Sequence, residues 1–355
     1  MDLETLGWSP FFAAAFAPIA PAGWEPARVM REHRGGYLVC AAGGELKAAI
    51  SGRLRHETRL ASALPTVGDW VAVITQPVEA RAIIQAVLPR QTKFARAAAG
   101  DSHEEQIIAA NIDDVFIVTS LNRDLNLRRL ERYLTLAWES GANPIIVLTK
   151  ADLCDDVTAE VHRVESLDSG VPVHAVSTVT GQGLPELAAR LRPGRTAVLL
   201  GSSGVGKSTL INFWYGGEHL KVQAIRESDD RGRHTTAHRE LVLLPGGALL
   251  LDTPGMRELK LWESADGLTE TFSDVAAFAA RCRFTDCEHL SEPGCTVRNA
   301  IESGELDAAR LESHRKLVAE LRHQKRKQDP LAGAEERRRI KSATKNLRAH
   351  YRSPD

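Results

Sequence analysis

No stretch of the chain reaches the ~18–20 consecutive apolar residues that a membrane span requires. No secretory leader is expected either. The apolar run from Phe11 to Ala20 follows Asp2 and Glu4 instead of a basic segment, and Pro18 and Pro21 interrupt it. It reads as a packed N-terminal segment, so no membrane contact and a cytoplasmic location are expected. Net charge is also small, −1 over 355 residues, but it is unevenly spread. Residues 310–355 hold 14 Lys/Arg against 6 Asp/Glu, a balance of +8, and the rest of the chain carries −9. A basic tail on an acidic body points to a polyanion such as nucleic acid; a solvated helix face explains it as well. Cysteine is scarce: Cys40, Cys154, Cys282, Cys287 and Cys295. An odd count with three clustered favours a metal site over disulfides.

What is present divides into three expected domains, 1–97, 98–272 and 273–355. Five short strands with glycine turns are expected at Ala27–His33, Tyr37–Ala41, Glu45–Leu54, Asp69–Ile74 and Arg81–Leu88. They suit a small barrel of OB type. Residues 96–107 read as a linker. A strand–helix alternation follows. Strands are expected at Val115–Ser120, Pro144–Thr149, Val171–Val176 and Thr196–Leu200, and helices at Leu127–Ser140, Thr158–Leu167 and Leu184–Leu191. That pattern builds a doubly wound α/β sheet. Leu241–Leu244 and Ala248–Leu251 form a hairpin ending in Asp252, and the chain turns helical and polar from Ser273.

Residues Gly201, Ser202, Ser203, Gly204, Val205, Gly206, Lys207 and Ser208 complete the phosphate-loop pattern, between an apolar strand and an apolar helix (Leu210 to Trp214), and Thr209 next to them joins the candidate nucleotide-binding residues. Glycines let consecutive N–H groups wrap a phosphate at a helix N-terminus. Lys207 would neutralise β/γ oxygens, and Ser208 would ligate Mg²⁺. Further on, Asp252-Thr253-Pro254-Gly255 offers a Mg²⁺-side carboxylate in Asp252 and a γ-phosphate sensor in Gly255. Upstream of the loop, Thr149-Lys150-Ala151-Asp152 reads as a guanine-selecting element, and Ser177 sits in a loop able to close over the base. The Asp152 carboxylate can accept from the N1–H and N2–H₂ edge of guanine, which adenine does not offer. Thr149 stands where Asn is usual, which puts a contact to guanine N7 in doubt. Between loop and DTPG, Gly232-Arg233-His234-Thr235-Thr236 carries a threonine able to complete Mg²⁺ coordination, either Thr235 or Thr236. His234 either helps place the attacking water or is a solvated loop residue. Met256, after DTPG, cannot orient water, so slow intrinsic hydrolysis is expected. The base-selecting element precedes the phosphate loop, the reverse of the ordinary order, so the domain reads as circularly permuted.

Cys282-x4-Cys287-x-His289-x5-Cys295 supplies three thiolates and an imidazole, a set that closes a tetrahedral, structural Zn²⁺ site. Basic residues Arg315, Lys316, Arg322, Lys325, Arg326 and Lys327, then Arg337–Arg339, Lys341, Lys345 and Arg348, recur at helical spacing and could grip phosphates.

Permuted motif order, knuckle, barrel and basic tail together resemble the RsgA family of circularly permuted GTPases. The resemblance spans nearly the whole chain. It implies a circularly permuted P-loop GTPase domain with an N-terminal OB-type barrel and a C-terminal helical zinc-binding domain. It also implies a late maturation factor of the 30S ribosomal subunit that binds 16S rRNA. GTP would be hydrolysed to GDP under stimulation by the subunit, and the factor would then leave. A monomer is expected. Two other classes compete: a P-loop kinase or ATPase acting on a small molecule, against which the TKxD and DTPG elements and the lack of an acceptor motif speak, and a non-catalytic, nucleotide-gated RNA scaffold. The permuted order also wires the DTPG switch directly to the knuckle and tail.

Overall fold

The computed structural model describes residues 2–33, 35–58, 60–97, 105–122, 125–168, 170–217, 239–252 and 265–328. Five strands form the N-terminal barrel: β1 (Glu25–His33), β2 (Gly36–Ala41), β3 (Gly44–Ile50), β4 (Trp70–Gln76) and β5 (Arg81–Val87). Their order is β1-β2-β3-β5-β4, closed by β4 on β1, with β3 and β5 parallel. So narrow a barrel is filled by small side chains: Ala27, Val29, Val39, Ala41, Ala48, Val71, Val73, Ala82 and Ile84. The strand expected to run to Leu54 stops at Ile50. Ser51 caps a short helix, α2 (Gly52–Glu57), by accepting from the Leu54 N–H at 3.1 Å.

Residues 96–107 are not simply a linker. β6 (Lys93–Ala97) and β7 (Glu105–Ala110) pair as an antiparallel ribbon. Phe94, Ile107, Ile108 and Ala109 are buried, which gives the ribbon the apolar side that a free linker would lack.

The α/β layer contains β8 (Asp114–Ser120), β9 (Asn143–Thr149), β10 (Val173–Ala175), β11 (Thr196–Leu200), β12 (Glu240–Leu243) and β13 (Leu249–Asp252). Their order is β10-β9-β8-β11-β13-β12, parallel except for β12. Every residue of β8 is buried, as its central place demands. The expected helices appear as α3 (Leu127–Ser140), α4 (Val157–Glu165), α5 (Leu184–Ala188) and α6 (Lys207–Tyr215). Asn126 caps α3 and left-handed Gly141 ends it. A register shift between Val29 and Arg31 redirects β1, so that Arg31 meets Glu240 of β12 and the barrel joins the sheet edge.

Arg28, 1% exposed, fastens this junction. Its guanidinium donates to carbonyls of Leu6, Asn111 (3.0 Å) and Gly68 (3.3 Å), and to Thr196 Oγ1 (2.7 Å). One side chain thus holds the N-terminal segment, the barrel and β11. Trp8 and Phe12, the latter on α1 (Pro10–Phe16), pack against Trp70 with Trp8 at 4.7 Å, so the N-terminal segment is packed as expected.

Helical structure after the sheet begins earlier than Ser273. α7 (Ala265–Thr271) precedes α8 (Ser273–Ala279), α9 (Thr296–Glu302) and α10 (Ala308–Gln328). Gly267 lets α7 approach α3 closely: a Cβ there would lie 2.6 Å from the Thr135 carbonyl oxygen. α10 docks on α3 through buried charge. Arg310 donates to Glu131 (2.9 Å), to Asp274 (2.6 and 3.0 Å) and to the carbonyls of Leu167 and Thr271. Ser313 donates to the other Glu131 oxygen, and Arg132 grips Glu320 at 2.6 and 2.7 Å. No helix among the described residues is long and apolar enough to cross a membrane.

Replacing Arg310 by Met strands the Glu131 carboxylate in the interior. Urea unfolding followed by circular dichroism is expected to show a loss of about 3–5 kcal/mol, and Arg310→Met with Glu131→Gln a smaller one. A loss below ~1 kcal/mol for the single variant would show that α10 docks without the pair.

Candidate nucleotide site and metal knuckle

Parallel strands deliver their C-terminal ends to one edge, where ligands of such sheets sit. β8 lies between β9 and β11, with Ser120 opposite Thr149 and Ile117 opposite Leu200. The loops after Thr149 and Leu200 therefore emerge side by side, although about 50 residues separate them.

The two loops are bonded to each other. Thr149, 4% exposed, places Oγ1 at 2.6 Å from the Val205 carbonyl oxygen and 3.2 Å from that of Thr119. Lys150 adopts a left-handed φ of 57° and donates from Nζ to the Gly204 carbonyl at 3.0 Å. Asp152 lies in a single 3₁₀ turn and is exposed, with Oδ1 accepting from Ser177 Oγ at 2.5 Å. Ser177 is fully buried; its Oγ also accepts from the N–H groups of Val179 and Thr180, both at 3.2 Å. A third loop, after β10, is thereby closed against the one that follows β9 and carries Asp152. Leu153 and Val179, in the same two loops, are exposed.

In the glycine-rich loop, Gly201, Gly204 and Gly206 have φ of 150°, 76° and 98°. A Cβ on Gly201 would lie 2.2 Å from the Val118 carbonyl oxygen, so the loop start presses directly on β8. Gly206 caps α6 with no side chain, which leaves the N–H groups of its first turn free of a side-chain cap. Lys207 bends back over the loop and donates to the carbonyls of Gly201 (2.8 Å) and Ser202 (2.5 Å). Ser208 and Thr209 are half-buried in the same turn. β13 ends at Asp252, parallel to β11 and next to it. His234, Thr235, Thr236, Gly255 and Met256 lie outside the described residues, as do the tail positions from 329 onward.

The donor atoms of Cys282, Cys287, His289 and Cys295 all lie within 4.8 Å of one another, a set that could hold a metal ion. His289 turns Nδ1 towards the sulfurs, 3.6 Å from Cys282 Sγ and 3.4 Å from Cys295 Sγ. Burial first, then the nearby Arg315 guanidinium, lowers the His289 pKa, which favours the neutral imidazole that ligation requires. His289 has a left-handed φ of 60°, and Arg315 on α10 braces that backbone by donating to the His289 carbonyl at 2.5 Å and to that of Glu288 at 3.2 Å. Sequence spacing had put Arg315 on a phosphate-gripping stripe. Here it faces the knuckle, and Lys316 pairs with Glu312 at 2.5 Å. Only proximity in space reveals this bracing role, since no motif contains Arg315.

Comparison with known proteins agrees with this geometry. The family model for the RsgA GTPase matches residues 87–262. A small ribosomal subunit biogenesis GTPase RsgA from Opitutus terrae is 48% identical, over 99% of this chain and 98% of that protein. The protein of that name from Streptomyces coelicolor is 45% identical over 96% and 92%. Among solved structures, YjeQ from Thermotoga maritima superposes with a TM-score of 0.65 at 26% identity, covering 84% of this chain and 98% of that one. YloQ, a circularly permuted GTPase, gives 0.63 at 25%, covering 85% and 96%.

The close approach at Gly201 is testable. Gly201→Ala is expected to cost about 2–4 kcal/mol in thermal or urea unfolding, because backbone and not a flexible side chain occupies the space. Unchanged stability would mean that the loop does not rest on β8.

Proposed function

The chain belongs to the RsgA GTPase family, and on that premise we propose that it hydrolyses GTP in the late maturation of the small ribosomal subunit. The observation that carries the reading is the Thr149–Val205 contact at 2.6 Å, which unites a base-selecting loop and a phosphate loop from distant parts of the chain. Relatives named small ribosomal subunit biogenesis GTPase, 43–48% identical, supply the cellular context. Neither the kinase nor the scaffold reading has an observation in its favour.

In this reading the N–H groups of residues 201–208 cradle the β-phosphate, and Lys207 leaves its loop carbonyls to neutralise β/γ oxygens. Asp152 selects guanine, backed by the Ser177 hydroxyl, and Lys150 steadies the phosphate loop from the base side. Ser208, Asp252 and Thr235 or Thr236 would hold Mg²⁺, which draws charge from the β/γ oxygens. Gly255 senses the γ-phosphate and His234 helps place the water. That water attacks the γ-phosphorus, the bond to the β–γ bridging oxygen breaks, and GDP and phosphate leave. Cys282, Cys287, His289 and Cys295 would bind one structural zinc, since three thiolates and a neutral imidazole suit that ion and leave no open position. We assign the protein to the cytoplasm, as a monomer that engages 16S rRNA of the 30S subunit through barrel and tail.

The isolated protein is expected to turn over GTP at roughly 10⁻³–10⁻² s⁻¹ or below, and small subunits to raise this at least about tenfold. A rate near 10 s⁻¹ alone, or no response to subunits, would contradict the proposal. Ser208→Ala should still bind subunits but fail to leave them on adding GTP. Metal analysis should find about one zinc per chain, lost in Cys287→Ser, and EDTA should lower the thermal midpoint; an unchanged midpoint would count against a structural ion.

A further inference from the structure

We infer that Thr149 is a positioning residue that ties the base loop to the phosphate loop, and that guanine is recognised here without a hydrogen bond to its N7. The inference rests on the guanine reading of the site and extends it to single atoms of the base.

A threonine hydroxyl has one hydrogen. Both oxygens near Thr149 Oγ1, the Val205 carbonyl at 2.6 Å and the Thr119 carbonyl at 3.2 Å, are backbone acceptors with no hydrogen of their own. Whichever receives it, the hydrogen is committed to the main chain. N7 of guanine is also a pure acceptor, so the remaining lone pairs of Oγ1 have nothing to offer it. Thr149 is almost wholly buried, and Gly206 packs over it: a Cβ on that glycine would be 3.7 Å from Oγ1 and 3.8 Å from Cβ and Cγ2. The hydroxyl therefore faces the loop and not the base. An asparagine amide carries two hydrogens and could serve carbonyl and N7 together; threonine can serve only the first. Donors in the neighbouring loops point elsewhere. Lys150 Nζ is drawn towards the phosphate loop by the Gly204 carbonyl, and the Val179 and Thr180 N–H groups are on Ser177 Oγ. Selection then falls to Asp152 on the opposite edge, where adenine presents no matching donors.

The test is competition binding to the full-length protein by GDP, 7-deaza-GDP, which replaces N7 with a C–H, IDP, which lacks the 2-amino group, and inorganic pyrophosphate. Expected for the unaltered protein is 7-deaza-GDP within about threefold of GDP, and IDP weaker by about tenfold or more. Thr149→Val should weaken GDP, 7-deaza-GDP and pyrophosphate by a common factor of about 3–15. Thr149→Ser should restore all three, and Thr149→Asn should create a preference for GDP over 7-deaza-GDP. A loss beyond about threefold on 7-deaza substitution in the unaltered protein would overturn the inference. So would a Thr149→Val protein that loses GDP but keeps pyrophosphate, because Thr149 would then act on the base. If Thr149→Val does not fold, the nucleotide series on the unaltered protein still decides. IDP binding as well as GDP would fault the role of Asp152, and the 7-deaza comparison would judge Thr149 separately.

Discussion

The parallel pairing of β8 with β9 on one side and β11 on the other is the constraint from which the site follows. Parallel neighbours end at the same edge, so whatever follows β9 and β11 must converge there. Convergence depends on the order of strands in the sheet and not on their order in the chain. A permuted chain can therefore build the same site, provided that β8 is buried on both faces; all seven of its residues are. The Thr149 hydroxyl then joins the two loops across that strand.

Around this sheet, two buried arginines attach the other modules by different physics. Among the described residues Arg28 finds only neutral partners within hydrogen-bond reach, and burial brings its pKa down to about 10. For Arg310, burial alone would lower the pKa, but the Asp274 and Glu131 carboxylates reverse the shift and raise it. The barrel is thus held by oriented dipoles and the C-terminal helices by paired charge. In both cases the guanidinium bridges three or more separate segments, which ordinary apolar contact achieves only over a wider surface.

Much of this was legible in the residues alone. The apolar runs of β8, β9 and β11, the phosphate-loop glycines and the compact cysteine spacing each carry a local signal with a physical cause. The β6–β7 ribbon was hidden because charged residues surround its few apolar ones. Helix α7 was hidden because it packs through Gly267 and the Thr135–Thr271 hydroxyl contact at 3.2 Å, not through an apolar stripe. Ser51 ended β3 early by offering a cap, and no propensity inside the strand announces that. Arg28, Arg310 and Arg315 were invisible in kind: an arginine in sequence reads as surface charge, and only the fold shows that three of them are braces.

Segments on opposite sides of β8 are thereby placed to form a single nucleotide site. Hydrogen–deuterium exchange on the full chain, with and without GDP, tests that placement directly. Amides in 149–153 and 176–182 are predicted to slow together with those in 201–209, in one transition at one GDP concentration. Protection confined to 201–209, with the other two segments unchanged, would contradict it.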